Sequence, residues 1–209
     1  MSDIQNININ KFELKLSDTD DPVAQKVSWQ PAKPGGANFK TQKIEITPEK
    51  VVVKKTVGMI LFGLVFLLPG LGGLLFGAPY NFINGDGGAG IFFMLWGAGF
   101  GGAGLAMLYL GKPFTIDKMR GVFYRGKKYS GNPTGKKKTQ GMVSEIYAIQ
   151  LLSEHVQSSK NSYTSYELNL VFKDGSRMNV MDHGNARDIE TAAKKLADML
   201  KVPIWQASY

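Results

Sequence analysis

The chain has 209 residues, with 25 Lys and Arg against 17 Asp and Glu, which gives a formal net charge of +8 at pH 7. It has no Cys, and this excludes disulfide bonds, Cys-ligated zinc, iron–sulfur clusters and thiol catalysis. Between Lys55 and Lys112 the only charged residue is Asp86, so the charge is concentrated in the two flanks. This pattern predicts a membrane-anchored protein with one modest soluble domain.

The N-terminal flank divides into two parts. Residues 1–42 are polar and rich in Asp and Asn, which predicts a largely disordered cytoplasmic segment with a short strand at residues 27–29. Residues 43–56 are rich in β-branched residues and are interrupted by Thr47 and Pro48, which predicts a β segment. Whether this segment joins the C-terminal sheet stays open at this point.

Two charge-free runs follow. Residues 57–77 would form a helix about 31 Å long, enough to cross the hydrocarbon of a bilayer. Residues 78–90 include Pro79, several Gly and Asp86, and they predict a polar turn outside the cell. Residues 91–111 predict the second transmembrane helix. The sequence therefore predicts a membrane α-helical hairpin.

The cations predict the orientation of this hairpin, because Lys and Arg beside membrane spans are retained in the cytoplasm. The 78–90 turn has no Lys or Arg. Both flanks are basic close to the spans, and we expect both termini to be cytoplasmic; the cations are Lys40, Lys43, Lys50, Lys54 and Lys55 before the first span and Lys112, Lys118, Arg120, Arg125, Lys127 and Lys128 after the second.

Small residues within the spans predict close helix packing. Gly97 and Gly101 form a GxxxG pair, Gly102 belongs to a parallel row of small residues, and Gly73 and Gly77 offer a matching notch on the first helix. Such residues let helix backbones approach in lipid. The spacing is compatible with a tightly packed hairpin and with a hairpin that forms a homo-oligomer.

The C-terminal flank predicts an α+β cytoplasmic domain at residues 112–209. Strands are expected at residues 114–117, 122–125, 145–152, 163–172 and 177–181, with a hairpin turn at residues 118–121. A final amphipathic helix begins after Asn185 as its N-cap, with Asp188 in its first turn, and Pro203 ends it. We expect an antiparallel sheet covered by this C-terminal helix.

The arrangement resembles bacterial two-span membrane proteins with a pleckstrin-homology-like (PH-like) cytoplasmic domain and, more distantly, the photosystem I assembly factor family. The resemblance covers roughly residues 57–205 and involves turn and packing residues, namely Asp117, Gly121, Arg125, Leu196, Ala197, Leu200, Val202, Pro203 and Ile204. It implies a PH-like fold in the bacterial inner membrane and a binding or assembly role, with no enzymatic residues to transfer. The long N-terminal extension and the basic insertion at residues 130–141 depart from the assembly factor, so no photosynthetic role is expected.

The strongest functional signal is a lysine cluster in a loop punctuated by Gly and Pro. Its members are Lys127, Lys128, Lys136, Lys137 and Lys138. Anionic headgroups attract lysines by about 1 kcal/mol each near a membrane surface, so the cluster predicts binding to the anionic leaflet. A solvated loop that only reinforces the topology is the alternative, and a nucleic-acid partner is not expected because the loop has no recognition element.

No catalytic site, metal site or cofactor is predicted. The two histidines, His155 and His183, each have one neighbouring carboxylate, and their spacing suggests no further ligands. The sequence therefore predicts a membrane-anchored protein- or lipid-binding module, a scaffold or assembly component of an inner-membrane complex with an unidentified membrane protein partner. The alternative is an oligomeric transporter or channel accessory subunit built from the glycine-rich hairpin.

Overall fold

The structure, a computed structural model, describes residues 5–9, 12–16, 20–32, 36, 40–131, 139–157 and 162–208. The chain divides into two units. The apolar unit is Lys55–Lys112, and the soluble unit is formed by the two flanks, Met1–Lys54 and Pro113–Tyr209. The soluble unit is therefore assembled from segments that lie on both sides of the apolar unit in sequence.

Two long apolar helices form the apolar unit. The first consists of α1 (Val57–Gly72), a π-helical turn (Gly73–Gly77) and α2 (Ala78–Ile83), and the second is α3 (Gly87–Tyr109). By length and composition each is sufficient to cross a membrane.

The turn between these helices is shorter than predicted. The first helix continues to Ile83 instead of ending at Gly77, the second begins at Gly87 instead of residue 91, and only residues 84–86 lie between them. Pro79 follows the π-helical turn inside this continuous helix, where its ring removes one backbone N–H donor. Asp86 is the N-cap of α3, and its Oδ1 accepts a hydrogen bond from the Ala89 N–H at 2.9 Å.

Two sheets and one helix form the soluble unit. The strands are β1 (Gln5–Ile9), β2 (Phe12–Leu16), β3 (Gln42–Ile46), β4 (Lys50–Lys55), β5 (Phe114–Asp117), β6 (Val122–Arg125), β7 (Gln140–Met142), β8 (Ile146–Gln157), β9 (Ser162–Phe172), β10 (Arg177–His183) and β11 (Ile204–Ser208). The six-stranded sheet has the order β1-β2-β11-β8-β9-β10, and the five-stranded sheet has the order β3-β4-β5-β6-β7.

The five-stranded sheet joins the two flanks. β4 precedes the apolar helices and pairs antiparallel with β5, which follows them, with Val51 opposite Ile116 and Val53 opposite Phe114. The question that the sequence left open for residues 43–56 is thus answered, because this segment forms β3 and β4. The β5–β6 hairpin lies at the predicted residues, and Gly121 adopts the positive φ of 63° that its turn requires.

The C-terminal helix α4 (Ala186–Leu200) covers the core between the sheets. Asn185 is its N-cap, as predicted, because its Oδ1 accepts a hydrogen bond from the Asp188 N–H at 3.0 Å. The buried side chains of α4 pack against residues of both sheets; the cluster includes Val51, Val53, Phe114, Phe123, Ile149, Leu168, Leu170, Ile189, Ala193 and Leu196.

The chain does not end at this helix. Lys201 closes α4 with a φ of 55°, and after Pro203 the chain returns as β11. β11 pairs in parallel with β8, with Ile204 opposite Ile149, whereas β8, β9 and β10 pair antiparallel as expected. The prediction of a purely antiparallel sheet that ends in a helix was therefore incomplete.

The prediction of a largely disordered segment at residues 1–42 was wrong for the residues that the structure describes. β1 and β2 pair with each other, and β2 pairs with β11. Residues 20–32, which we call the strap, pack across the six-stranded sheet. Residues 27–29 do not form the predicted strand, because Val27 follows a turn in which Asp21 Oδ1 accepts the N–H groups of Val23 and Ala24 at 2.8 and 3.2 Å.

Candidate functional site

Lys127 and Lys128 are exposed and lie directly after β6. The Gly126 N–H donates to the Pro113 carbonyl at 2.8 Å, and Arg125 pairs with Phe114. Because Pro113 is the first residue of the soluble unit after the apolar unit, the two lysines leave the sheet at the end where the chain comes from α3. Lys118, in the turn at the opposite end of the β5–β6 hairpin, is equally exposed.

Hydrogen bonds between Ser130 and Gln140 hold together the two ends of the loop that follows these lysines. Gln140 Oε1 accepts hydrogen bonds from the Ser130 N–H at 3.1 Å and from Ser130 Oγ at 3.0 Å. Arg120 lies over the Tyr129 ring, with its Cζ 5.7 Å from the ring centroid. The remaining members of the predicted cluster, Lys136, Lys137 and Lys138, lie outside the described residues, so two of the five predicted lysines have a described position.

The glycines predicted to pack helices lie partly in the hairpin itself. A Cβ on Gly97 would lie 2.7 Å from the Gly70 carbonyl oxygen, one on Gly77 would lie 2.9 Å from the Phe93 ring, and one on Gly73 would lie 3.1 Å from the Trp96 ring. These three glycines therefore allow α1, the π-helical turn and α3 of one chain to approach each other.

Gly102 lies away from the contact between the two helices of one chain, and its predicted role in helix packing stays a prediction. A Cβ on Gly102 would meet nothing within 4 Å. Five residues after Gly97, it lies about 140° around α3, away from the first helix. Gly101 is at the contact, because a Cβ on Gly70 would lie 2.2 Å from the Gly101 backbone nitrogen.

Three glycines at this contact, Gly63, Gly70 and Gly104, were not among the predicted packing residues. A Cβ on Gly104 would lie 2.5 Å from the Leu67 nitrogen, and one on Gly63 would lie 2.9 Å from the Leu108 side chain. Gly63 and Gly70 are seven residues apart, as are Gly97 and Gly104, which is the heptad spacing of two helices packed along one face. That spacing was the available signal in the sequence.

Lys55 closes the C-terminal end of α3. Its Nζ donates hydrogen bonds to the carbonyl oxygens of Met107 and Leu108, at 2.7 and 2.6 Å. Carbonyls in the last turn of a helix lack partners in the helix, and a cation there also interacts favourably with the helix dipole. Lys55, which was predicted only to set the topology, therefore also stabilises the apolar unit.

The strap covers one face of the six-stranded sheet, which we call the outer face. In the first half of the strap, the side chains of Val23, Ala24 and Val27 are buried in contact with Ala148, Val171 and Trp205. Trp205 is only 1% exposed, and the Trp29 ring lies 5.8 Å from it between centroids. Tyr147 Oη donates to Asp21 Oδ2 at 2.9 Å and fixes the start of the strap.

The second half of the strap is bound through its backbone. Gln150 Nε2 donates to the Ser28 carbonyl at 3.0 Å, Arg177 Nη2 donates to the Gln30 carbonyl, and the Ala32 N–H donates to Glu167 Oε2 at 2.9 Å. The next described residue of the chain, Gly36, lies against Ser165; a Cβ on Gly36 would lie 2.8 Å from the Ser165 Cβ.

The side chains under the strap form one polar network. Asn169 Nδ2 donates to Gln150 Oε1 at 3.1 Å and to Glu167 Oε1 at 2.5 Å, and Arg177 Nη1 donates to Gln150 Oε1 at 3.2 Å. Asn169 is fully buried, and its Oδ1 has no hydrogen-bond partner among the described residues. An unsatisfied buried acceptor costs about 1–3 kcal/mol.

Sequence reasoning missed this network. Glu167 and Asn169 alternate with Tyr166, Leu168 and Leu170 along β9, and such alternation indicates only that one face of the strand is buried in the core. The strap that covers them is more than a hundred residues away in sequence; the Ala32–Glu167 hydrogen bond spans 135 residues. The alternation thus located the outer face without indicating what covers it.

Several other charged or titratable groups of the soluble unit make hydrogen bonds or ion pairs within the fold. Burial lowers the pKa of Arg125, whose Nη2 donates to the Asn179 carbonyl at 2.5 Å. A hydrogen bond from Lys40 lowers the pKa of Asp188. His183 Nδ1 accepts the Asn185 N–H at 3.0 Å beside α4. The described part of the chain has no group of three or more His, Asp or Glu placed to hold a metal ion.

Comparison with known proteins gave no match: neither a protein-family model, nor a curated protein, nor a solved structure is similar to this chain.

Proposed function

We propose that this protein is a two-span protein of the bacterial inner membrane whose soluble unit, a PH-like domain, lies in the cytoplasm and binds lipid or protein as a scaffold or assembly component of a membrane complex. The antiparallel strands in two packed sheets, with one helix near the end of the chain over the same core, support the PH-like comparison. The apolar helices support the membrane location.

The observation that carries the proposal is the pairing of β4 with β5. These strands lie immediately before and after the apolar helices, and their residues Val53 and Phe114 are partners in one sheet. Strands can pair in this way only if both flanks occupy the same compartment. An even number of crossings meets this requirement, and the basic flanks favour the cytoplasm.

The absence of Cys from the sequence allows a direct test of this topology. In intact cells, we expect Ser2→Cys and Ser208→Cys to resist an impermeant maleimide and to react after lysis. Gly87→Cys, beside the turn at residues 84–86, should react in intact cells, since a Cβ there meets nothing within 4 Å. Labelling of either terminal cysteine before lysis would refute the cytoplasmic orientation.

The lipid-binding role rests on Lys127 and Lys128, which leave the sheet beside Pro113. At about 1 kcal/mol per lysine near an anionic surface, this pair contributes roughly 2 kcal/mol, or about 30-fold in occupancy. In nanodiscs with phosphatidylglycerol, we expect amide hydrogen exchange in residues 126–131 to be several-fold slower than in neutral phosphatidylcholine nanodiscs.

A matched pair of variants tests whether these lysines are responsible. Lys127→Gln with Lys128→Gln should abolish the difference between the two lipids. Lys118→Gln, at the opposite end of the same hairpin, should preserve it. If exchange in residues 126–131 is the same in both lipids for the unmodified protein, these two lysines do not bind the membrane.

A further inference from the structure

We propose that the outer face of the six-stranded sheet is a docking surface for an extended peptide segment of a partner protein, and that the strap occupies this surface as an intramolecular ligand. This inference deepens the protein-binding half of the proposed function and rests on it. It concerns a surface that is separate in sequence from the lysine loop and from the apolar helices.

The outer face recognises a main chain. Gln150, Arg177 and Glu167 bind the carbonyl of Ser28, the carbonyl of Gln30 and the N–H of Ala32, at every second residue. Every peptide in an extended conformation presents such groups, with the exception of the N–H that proline lacks. The polar half of the surface can therefore bind extended peptides of many different sequences.

The two faces of β9 differ in polarity. On the inner face of β9, Leu168, Leu170 and Phe172 are buried in the core, as permanent burial favours. On the outer face of the same strand, Glu167 is only 5% exposed and Asn169 is fully buried, although both are hydrophilic. These groups are well solvated when the strap is absent, so this half of the face tolerates both a covered and an open state.

The strap is an imperfect occupant of the outer face. It leaves the buried Oδ1 of Asn169 without a hydrogen-bond donor among the described residues. A partner peptide with a donor at this point would satisfy the network more completely than the strap does.

The apolar half of the face indicates which side chains the remaining part of the partner segment needs. Val23, Ala24 and Val27 form a turn whose small aliphatic side chains pack on Trp205, Ala148 and Val171. Release of the strap would expose Trp205, a side chain of the type that often anchors protein interfaces. The partner segment we infer is thus a short aliphatic turn followed by an extended stretch with an additional donor for Asn169.

The test uses the full chain in a neutral detergent and a fluorescent peptide with the sequence of residues 20–32. Val23→Asp with Val27→Asp removes the apolar contacts of the strap and leaves every residue of the outer face unchanged. Hydrogen exchange in residues 20–32 and the emission of Trp29 and Trp205 report release of the strap, and protection of β8 and β9 reports that the sheet remains folded.

We expect the released variant to bind the peptide at least tenfold more tightly than the unmodified chain, because the tethered strap competes at a high effective concentration. A peptide with the same two Asp substitutions should bind at least tenfold more weakly. Arg177→Met in the released variant should also weaken binding at least tenfold.

Two outcomes would overturn the inference. One is a released, folded variant that does not bind the peptide; the strap is then only part of the fold. The other is an unmodified chain that forms a dimer, with the strap of each copy on the outer face of the other; the occupant is then a second copy. Because the detergent is neutral and topology plays no part, neither outcome bears on the lysine or cysteine experiments.

Discussion

Gly70→Ala should destabilise the apolar unit, with a loss of about 1–3 kcal/mol of stability. The added Cβ would lie 2.2 Å from the Gly101 nitrogen and 2.6 Å from its Cα, and both are backbone atoms that cannot rotate away. The two helices must therefore move apart. In lipid or detergent this separation is costly, because close packing between helices replaces the hydrophobic effect as the source of their association.

Gly102→Ala is the matched control, since the substitution is the same and the helix propensity gained is the same. A Cβ on Gly102 meets nothing within 4 Å, so this variant should be as stable as the unmodified chain or slightly more stable. The measurement is the temperature at which half of the protein leaves the monodisperse peak in size-exclusion chromatography. At 2–4 °C per kcal/mol for a chain of this size, we expect Gly70→Ala to lower it by roughly 2–12 °C.

Equal midpoints for the two alanine variants would contradict a helix contact along Gly70 and Gly101. A different outcome would bear on self-association. If Gly102→Ala, and not Gly70→Ala, changed the size of the particle in mild detergent, the exposed side of α3 would form the contact between copies that the sequence left open. The pair of variants thus separates the two interpretations of the glycine pattern.

Local patterns in the sequence predicted the local structure well. The β5–β6 turn follows from Gly121, whose missing side chain permits its positive φ. The start of α4 follows from Asn185, which caps the Asp188 N–H. The two apolar helices follow from the nearly complete lack of charge between Lys55 and Lys112. Each of these features is determined by residues that belong to one continuous stretch of the sequence.

Features that depend on distant partners could not be predicted in the same way. The strap looks like a polar linker because its second half binds the sheet through backbone groups, which leave no pattern in the side chains. β11 follows a helix and a proline, and nothing in its five residues indicates a parallel pairing with β8. The first helix continues past Gly77, and within it the side chain of Asn81, a polar residue that had suggested a turn, donates to the Gly77 carbonyl at 2.8 Å.

The same limit applies to the candidate site. The lysine cluster is visible in the sequence, but only the hydrogen bond between Gly126 and Pro113 indicates which end of the sheet Lys127 and Lys128 occupy. The outer face is visible as alternate polar residues in β9, but only the strap reveals that the face binds a main chain. The pattern of residues in the sequence located both surfaces. Three-dimensional contacts were needed to distinguish a binding surface from a solvated one.

Val51→Asp should unfold the whole soluble unit. Val51 is fully buried opposite Ile116, in the core shared by both sheets. The substitution removes a buried aliphatic side chain and places a carboxylate in an apolar core cluster. We expect a cost of about 4 kcal/mol or more, which is comparable with the total stability of many domains.

The neighbouring Val52 provides the control. Because alternate residues of a strand face opposite sides of the sheet, Val52 points away from this core and is only partly buried. Val52→Asp introduces the same charge one residue away and should cost about 1 kcal/mol, the amount by which strand propensities differ. The measurement is amide hydrogen exchange in β8 and β9 of the full chain in mild detergent, with the exchange of β3 and β4 followed in parallel.

In this experiment, the substituted residue and the strands whose exchange is measured lie far apart in the sequence. Val51 precedes both apolar helices, whereas β8 and β9 follow them. If Val51→Asp removes the protection of β8 and β9 and Val52→Asp does not, the two flanks fold as one cooperative unit. The result would support the pairing of β4 with β5, the observation from which a shared compartment is inferred. If β8 and β9 keep their protection while β3 and β4 lose theirs, the flanks fold separately, and the argument from strand pairing to a shared compartment fails.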